Sequence, residues 1–167
     1  MRYFDASALA KRYVREKGSV KVRRLLSSDV PATSRLSSVE IASALVRRSR
    51  EGGISDEQRE RTLAALDADV SAMLVVELTP AIVARAQTLL RRHALRAGDA
   101  IHLASGLHLQ DELQDETIFI AFDDRPPHHQ SRSDRSCAVP GRARSVAHEA
   151  THLADTVRRD WVSRVAR

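Results

Sequence analysis

Through residues 1–125, short strand-like apolar runs alternate with longer segments whose apolar residues recur at helical spacing. This alternation constrains the fold more than any other feature, because it is typical of α/β domains in which helices cover a parallel sheet. We therefore predict an α/β domain with a central parallel sheet of about four or five strands flanked by helices. The predicted strands are Met1–Phe4, Val30–Thr33, Met73–Leu78 and Thr117–Phe122.

Capping signals mark the starts of three predicted helices. Ser37-x-x-Glu40 and Ser55-x-x-Gln58 match the capping box, in which a hydroxyl and a carboxyl or amide satisfy the first backbone N–H groups. Thr79 followed by Pro80 matches the N-cap and first helical position. These signals predict helices over 37–50 and 55–72 and a third beginning at Pro80, and they put Glu40 in the first turn of its helix.

Four acidic residues follow predicted strands or begin predicted helices. Asp5 follows the first strand and Asp123 the last, so both belong at the edge where open α/β sheets bind ligands. Glu40 and Asp99 begin helices that can lean over that edge. Carboxylates gathered so closely repel one another unless a divalent cation neutralises them, and oxygen-only ligands favour Mg²⁺ or Mn²⁺ over zinc. The four acids therefore predict a metal site.

Phosphodiester hydrolysis is the chemistry that needs such a site. A bound divalent metal lowers the pKa of an attacking water and neutralises the charge that develops on the phosphoryl group. The acidic pattern therefore predicts a metal-dependent nuclease.

The formal charge of +5 does not by itself indicate a nucleic-acid partner. Residues 126–167 contain 8 Arg against 4 acidic residues, whereas residues 1–125 contain 19 Lys and Arg against 18 acidic residues. Arginine outnumbers lysine 24 to 3, which suits bidentate phosphate contacts. Codon bias in a GC-rich genome produces the same ratio and is the simpler explanation.

Cysteine content and hydropathy indicate the compartment. Cys137 is the single cysteine, which excludes a disulfide within the chain and a thiolate zinc cluster. The N-terminus is charged at Arg2 and Asp5, and no apolar run approaches the roughly 20 residues that span a bilayer. We expect a cytoplasmic protein without a membrane partner.

Four segments resemble the PIN-domain ribonucleases and, within them, the VapC toxins of bacterial VapBC toxin-antitoxin pairs. The resemblance spans residues 1 to about 125, and the segments follow the order and spacing of the family. They are Tyr3-Phe4-Asp5-Ala6-Ser7-Ala8-Leu9, Thr33 to Leu45, Leu95-Arg96-Ala97-Gly98-Asp99-Ala100-Ile101-His102-Leu103-Ala104, and Phe119-Ile120-Ala121-Phe122-Asp123.

This resemblance implies a PIN-like fold and an Mg²⁺- or Mn²⁺-dependent endoribonuclease that acts as the toxin of a toxin-antitoxin pair. It implies further a VapB-type antitoxin, an RNA substrate and a homodimer. The catalytic, metal-binding acids would be Asp5, Glu40, Asp99 and Asp123, with Ser7 supporting Asp5. Arg35 and Arg96 lie near these acids in sequence and are candidates for contacts with the RNA backbone.

Several of these residues have simpler explanations. Asp5 could cap the first helix, and the neighbouring Asp123 and Asp124 leave the identity of the fourth acid open by one residue. His102 and His108 lie in the helix that begins near Asp99. Because a histidine in such a helix is more often packed or solvated than a ligand, we assign neither to the site.

After Arg125 the chain departs from the family pattern. Pro126-Pro127 opens a stretch without apolar periodicity, so we predict a PIN-like domain over 1–125 and an atypical Arg-rich tail over 126–167, a linker plus a possible helix. A frameshift near codon 125 would explain the tail. The tail contains His148-Glu149-Ala150-Thr151-His152, which matches a zinc metallopeptidase motif and leaves that activity as a remote alternative. A catalytically silent PIN-like module that binds RNA or protein is the other alternative.

Overall fold

A computed structural model describes residues 1–27, 30–114 and 117–122 of the chain. Four short strands form one sheet in the order β3-β2-β1-β4, and every neighbouring pair is parallel. This arrangement confirms the predicted α/β class and the parallel sheet. The strands are Arg2–Phe4 (β1), Pro31–Ser34 (β2), Leu74–Val76 (β3) and Ile118–Ile120 (β4).

The strand order places a topological switch point beside β1. From β1 the chain builds outward through β2 and β3, and β4 is then added on the opposite side of β1. Phe4 pairs in register with Ile120, so the carboxyl ends of β1 and β4 lie at the same level. Open α/β sheets form ligand crevices at such points, and Asp5 follows β1 there.

Six helices accompany the sheet in the described part of the chain, and two of the predicted caps are confirmed. Ser55 and Gln58 make both hydrogen bonds of a capping box. Thr79 accepts a hydrogen bond from the backbone of Ile82, with Pro80 at the first helical position. The helices are Ala6–Ala10 (α1), Ser19–Leu26 (α2), Arg35–Arg50 (α3), Asp56–Ser71 (α4), Pro80–Arg92 (α5) and Ala97–Leu113 (α6).

The predicted start of α3 at Ser37 is wrong. The helix begins at Arg35, and Ser34 is its N-cap because β2 ends there in extended backbone and passes directly into the helix. Ser37 is instead buried in the first turn, where its Oγ lies 2.7 Å from Oγ1 of Thr33. Glu40 consequently lies in the second turn of α3 rather than in the first.

The core brings α6 directly against the sheet. Tyr3 and Phe4 of β1 are fully buried, and the ring of Tyr3 stacks on that of Phe119 with 5.0 Å between centroids. A Cβ on Gly106 of α6 would lie 3.1 Å from the Phe119 ring. Because α6 lies this close to β1 and β4, its first turn can approach the edge where β1 ends.

The described strands and helices all belong to the unit Met1–Ala121. None of the helices in the described ranges is long and apolar enough to cross a bilayer. Asp123, Asp124, the 126–167 tail and its His148-Glu149-x-x-His152 motif lie outside the described residues, so the division of the chain at residue 125 stays a prediction.

Candidate active site

Asp5 stands at the switch point as the N-cap of α1. Its Oδ1 accepts hydrogen bonds from the backbone N–H of Ala8 and from the hydroxyl of Ser7, both at 2.8 Å. Its own N–H donates to the carbonyl of Ile120 at 3.1 Å, which ties the residue to β4. The capping role that the sequence left open is therefore confirmed, and Ser7 contacts the carboxylate it was expected to support.

The carboxyl group of Asp5 lies in an environment that disfavours its charge. The pKa of Asp5 is raised to about 6, mainly by burial and to a smaller extent by the negative charge of Asp99. The neighbouring His102 and the hydrogen bonds from Ala8 and Ser7 act in the opposite direction. Asp5 and Asp99, 94 positions apart, are thus brought close enough to repel each other, which is the situation that a bound cation relieves.

Asp99 comes from the first turn of α6, as the sequence predicted. The partial positive charge at a helix N-terminus favours a carboxylate there. Arg96 is the N-cap residue of this helix and makes no side-chain capping bond. Asp99 is therefore presented at the sheet edge by a helix whose packing on Tyr3 and Phe119 fixes its position.

Glu40 reaches from α3 to the same end of α6. Its Oε2 lies 2.8 Å from Nε2 of His102, and its Oε1 lies 2.6 Å from the place where a Cβ on Gly98 would stand. Nδ1 of His102 lies 3.0 Å from the hydroxyl of Tyr3. The carboxylate of Glu40 is therefore joined through one imidazole to the first strand of the sheet.

His102 is packed, as expected, and we did not foresee its contact with Glu40. It is 3% exposed and contacts a predicted site acid directly. One signal was present, because His102 follows Asp99 by three residues and such residues share a helix face. His108 lies six residues further along and does not share that spacing.

The donor set suits a hard divalent cation, since the acids contribute oxygen ligands and Asp5 is held in an environment that penalises unmatched charge. Three predicted acids come from the end of β1, from α3 and from α6. Within the described ranges, however, no three His, Cys, Asp or Glu side chains are close enough together to hold a metal ion. Asp123, the fourth predicted ligand, is outside those ranges.

The two arginine candidates occupy different surroundings. Arg35 forms an ion pair with Glu77 in which its Nε lies 3.1 Å from both carboxylate oxygens. Its side chain remains 50% exposed. Arg96 directly precedes the turn of α6 that carries Gly98 and Asp99. Arg96 is thus adjacent in sequence to the turn that carries Asp99, and Arg35 is paired with Glu77.

Comparisons with known proteins indicate the family of the chain. The family model for the PIN domain matches residues 2–130. Two curated relatives from strains of Mycobacterium tuberculosis, named ribonuclease VapC45 and ribonuclease VapC49, are each 36% identical over 110 residues, which cover 65% of this chain and 76% of theirs.

A solved structure supports the fold. The chain aligns with Mycobacterium tuberculosis VapC20, described as a Sarcin-Ricin loop cleaving toxin, with a TM-score of 0.57 and 21% identity. The alignment covers 74% of this chain and 91% of that one. Fold, family model and relatives agree, and the chain therefore belongs to the PIN-domain family as a VapC-type member.

Proposed function

We propose that this protein is an Mg²⁺- or Mn²⁺-dependent endoribonuclease that hydrolyses RNA phosphodiester bonds and acts as the toxin of a toxin-antitoxin pair. The observation that carries the proposal is that two pairs of groups meet around the first turns of α6, beside the switch point of the sheet: Asp5 lies within electrostatic reach of Asp99, and Glu40 reaches His102. The relatives named ribonucleases support the same reaction.

Asp5, Glu40, Asp99 and Asp123 would hold the metal through their carboxylate oxygens. Such an ion, when bound, activates a water for attack on phosphorus and shields the charge of the scissile phosphate.

The residues of the chain have separate tasks in this proposal. Ser7 and the N–H of Ala8 fix the direction of the Asp5 carboxylate through Oδ1. Partial burial of that carboxylate disfavours its charge, which a bound cation would compensate. Arg96, and Arg35 after it exchanges Glu77 for a phosphate, would contact the RNA backbone.

The partners and setting follow from the family. We propose a VapB-type antitoxin that blocks the acidic site, a homodimer and a cytoplasmic location. These proposals rest on membership in the VapC group rather than on a contact within this chain.

Cleavage of total RNA by the purified protein tests the function. We expect cleavage with Mg²⁺ or Mn²⁺, none with EDTA, and none for Asp99→Asn at unchanged thermal stability. Asp111→Asn is the matched control, because Asp111 lies in the same helix but is paired with Arg85 on the exposed surface. Full activity of Asp99→Asn, or cleavage that survives EDTA, would contradict the proposal.

A catalytically silent module is the second candidate. It is favoured by the finding that the described acids do not by themselves make a three-ligand site. A folded protein that binds RNA or a protein partner but never cleaves RNA would establish this alternative.

A further inference from the structure

We propose that His102, held by Tyr3, is a positioning residue that fixes the Glu40 carboxylate for metal binding, and that Gly98 leaves the space which that carboxylate occupies. This inference rests on the proposed metal-dependent function. It concerns side chains that the acidic pattern of the sequence did not indicate.

The hydrogen bonds give the chain of contacts a direction. A carboxylate only accepts, so Nε2 of a neutral His102 carries the proton and donates to Oε2 of Glu40 at 2.8 Å. Nδ1 is then the acceptor, and the Tyr3 hydroxyl donates to it at 3.0 Å. A tyrosine hydroxyl is protonated at neutral pH and can therefore donate this hydrogen bond. Tyr3 thereby selects the imidazole tautomer that serves Glu40.

Tyr3 and His102 are buried, whereas the Glu40 side chain that His102 contacts is partly exposed. Tyr3 is fully buried and stacked on Phe119, and its ring meets that of His102 edge-on, with centroids 6.2 Å apart. The side chain of His102 is 4% exposed, but that of Glu40 is 38% exposed. A glutamate in that position has several rotamers available. Its fixed direction therefore comes from the buried histidine.

Gly98 restricts the other oxygen of Glu40. A methyl group at position 98 would stand 2.6 Å from Oε1, so alanine there displaces the carboxylate. The backbone of Gly98 is not in the left-handed region, so the position does not need glycine for its conformation. The absence of a side chain at residue 98 serves the carboxylate instead.

Mn²⁺ binding to the metal-free full-length protein, followed by electron paramagnetic resonance, tests the role of His102. We expect His102→Phe to weaken Mn²⁺ affinity by roughly ten- to a hundredfold, the range typical of residues that orient metal ligands. His102→Gln should recover part of the loss, because its amide N–H can still donate to Glu40. His108→Phe is the matched control in the same helix and should bind Mn²⁺ normally.

Thermal unfolding separates positioning from a purely structural role. If His102→Phe binds Mn²⁺ as the wild type does, or if its loss equals the fraction unfolded, the inference is overturned. Gly98→Ala adds an independent arm, because alanine favours helix and should not lower the melting temperature while it weakens Mn²⁺ binding. Unchanged binding by Gly98→Ala would overturn the part of the inference that concerns Gly98.

The role of Tyr3 has a spectroscopic readout. The imidazole ¹⁵N shifts of His102 should report a single tautomer protonated at Nε2 in the wild type. Tyr3→Phe should produce a mixture, whereas Tyr13→Phe should not, because the Tyr13 hydroxyl binds Asp69. A wild-type tautomer protonated at Nδ1 would overturn the proposed direction.

These experiments distinguish the two proposals. A wild type that binds Mn²⁺ in a His102-dependent way but leaves RNA intact would overturn the ribonuclease function and support the positioning role. If the wild type cleaves RNA and the variants at 98 and 102 bind Mn²⁺ normally, the ribonuclease function is supported and the positioning role is overturned. A wild type that binds no Mn²⁺ would overturn both.

Discussion

Two aspartates near the ends of α1 have opposite surroundings. Asp5 caps the start of the helix and receives hydrogen bonds from the neutral groups of Ser7 and Ala8. Asp69, from α4, contacts Arg12 just beyond the end of α1 through both carboxylate oxygens and also accepts from the Tyr13 hydroxyl at 2.9 Å. The carboxylate of Asp5 accepts hydrogen bonds from neutral groups, whereas that of Asp69 is paired with a guanidinium.

The pKa values respond in opposite directions. The hydrogen bonds from Arg12 hold the pKa of Asp69 below its ordinary value, whereas burial raises the pKa of Asp5 to about 6. A carboxylate that a guanidinium already neutralises joins two helices and has no need of a metal. A carboxylate held near a second acid without such a partner is an expected property of a functional site. The difference separates structural acids from candidate ligands.

Asp5→Asn should have the largest effect. Asparagine still caps a helix but removes the charge, so we expect cleavage to fall by at least about a hundredfold, because metal catalysis contributes several kcal/mol. Initial rates with total RNA at saturating Mg²⁺ measure the loss. Activity within about threefold of wild type would show that the charge of Asp5 is not needed for catalysis.

Without metal, Asp5 and Asp69 should change the stability of the protein in opposite directions as the pH changes. The pKa of Asp5 is about 6 in the folded protein against an ordinary 3.8, so the folded state binds more protons between these values. Stability from this group therefore falls as the pH rises from about 4 to 6, by about 1 to 3 kcal/mol. Stability from Asp69 is present above its unfolded pKa and is lost as the pH falls.

Urea titrations of wild type, Asp5→Asn and Asp69→Asn between pH 3 and 8 isolate these two contributions. Saturating Mg²⁺ should remove the Asp5 contribution, because the ion compensates the charge that burial penalises. Identical pH profiles for wild type and Asp5→Asn would contradict the assigned environment of Asp5.

Asp69→Asn should destabilise the fold without affecting the chemistry. The pair is partly exposed, so we expect about 1 to 2 kcal/mol less unfolding free energy. RNA cleavage per folded molecule should stay at the wild-type value. If cleavage falls at unchanged stability, Asp69 belongs to the functional site and the contrast with Asp5 fails.

The smallest effects concern the arginines. Arg96→Gln should reduce the salt dependence of RNA binding by about one unit of log–log slope if it contacts one phosphate. Arg35→Gln should reduce the slope only if Arg35 leaves Glu77 for a phosphate. Binding titrations at several salt concentrations measure both slopes. An unchanged slope for Arg96→Gln would show that Arg96 contacts no phosphate, and a reduced slope for Arg35→Gln would show that its pairing with Glu77 does not persist on RNA.

Local signals predicted much of the fold correctly. The Ser55–Gln58 capping box and the Thr79–Pro80 start depend on groups within one helical turn, and both formed as expected. Ser37 carried the same kind of signal but lost to Ser34, because the end of β2 decided where the helix begins. The sequence did not show which of the two serines caps α3, since the position of the cap depended on where the paired strand β2 ends.

Neighbouring residues in the chain were enough to place Asp5 at a strand end and Asp99 at a helix start. The contacts of Glu40 with His102, 62 residues away, and of Asp69 with Arg12, 57 residues away, arise from the packing of distant segments and could not be predicted from local patterns. A histidine or an aspartate looks the same in sequence whether it is solvated, paired or aimed at a site. The packing of the fold either brings a partner close to such a side chain or leaves the side chain in water. The role of the side chain follows from that difference.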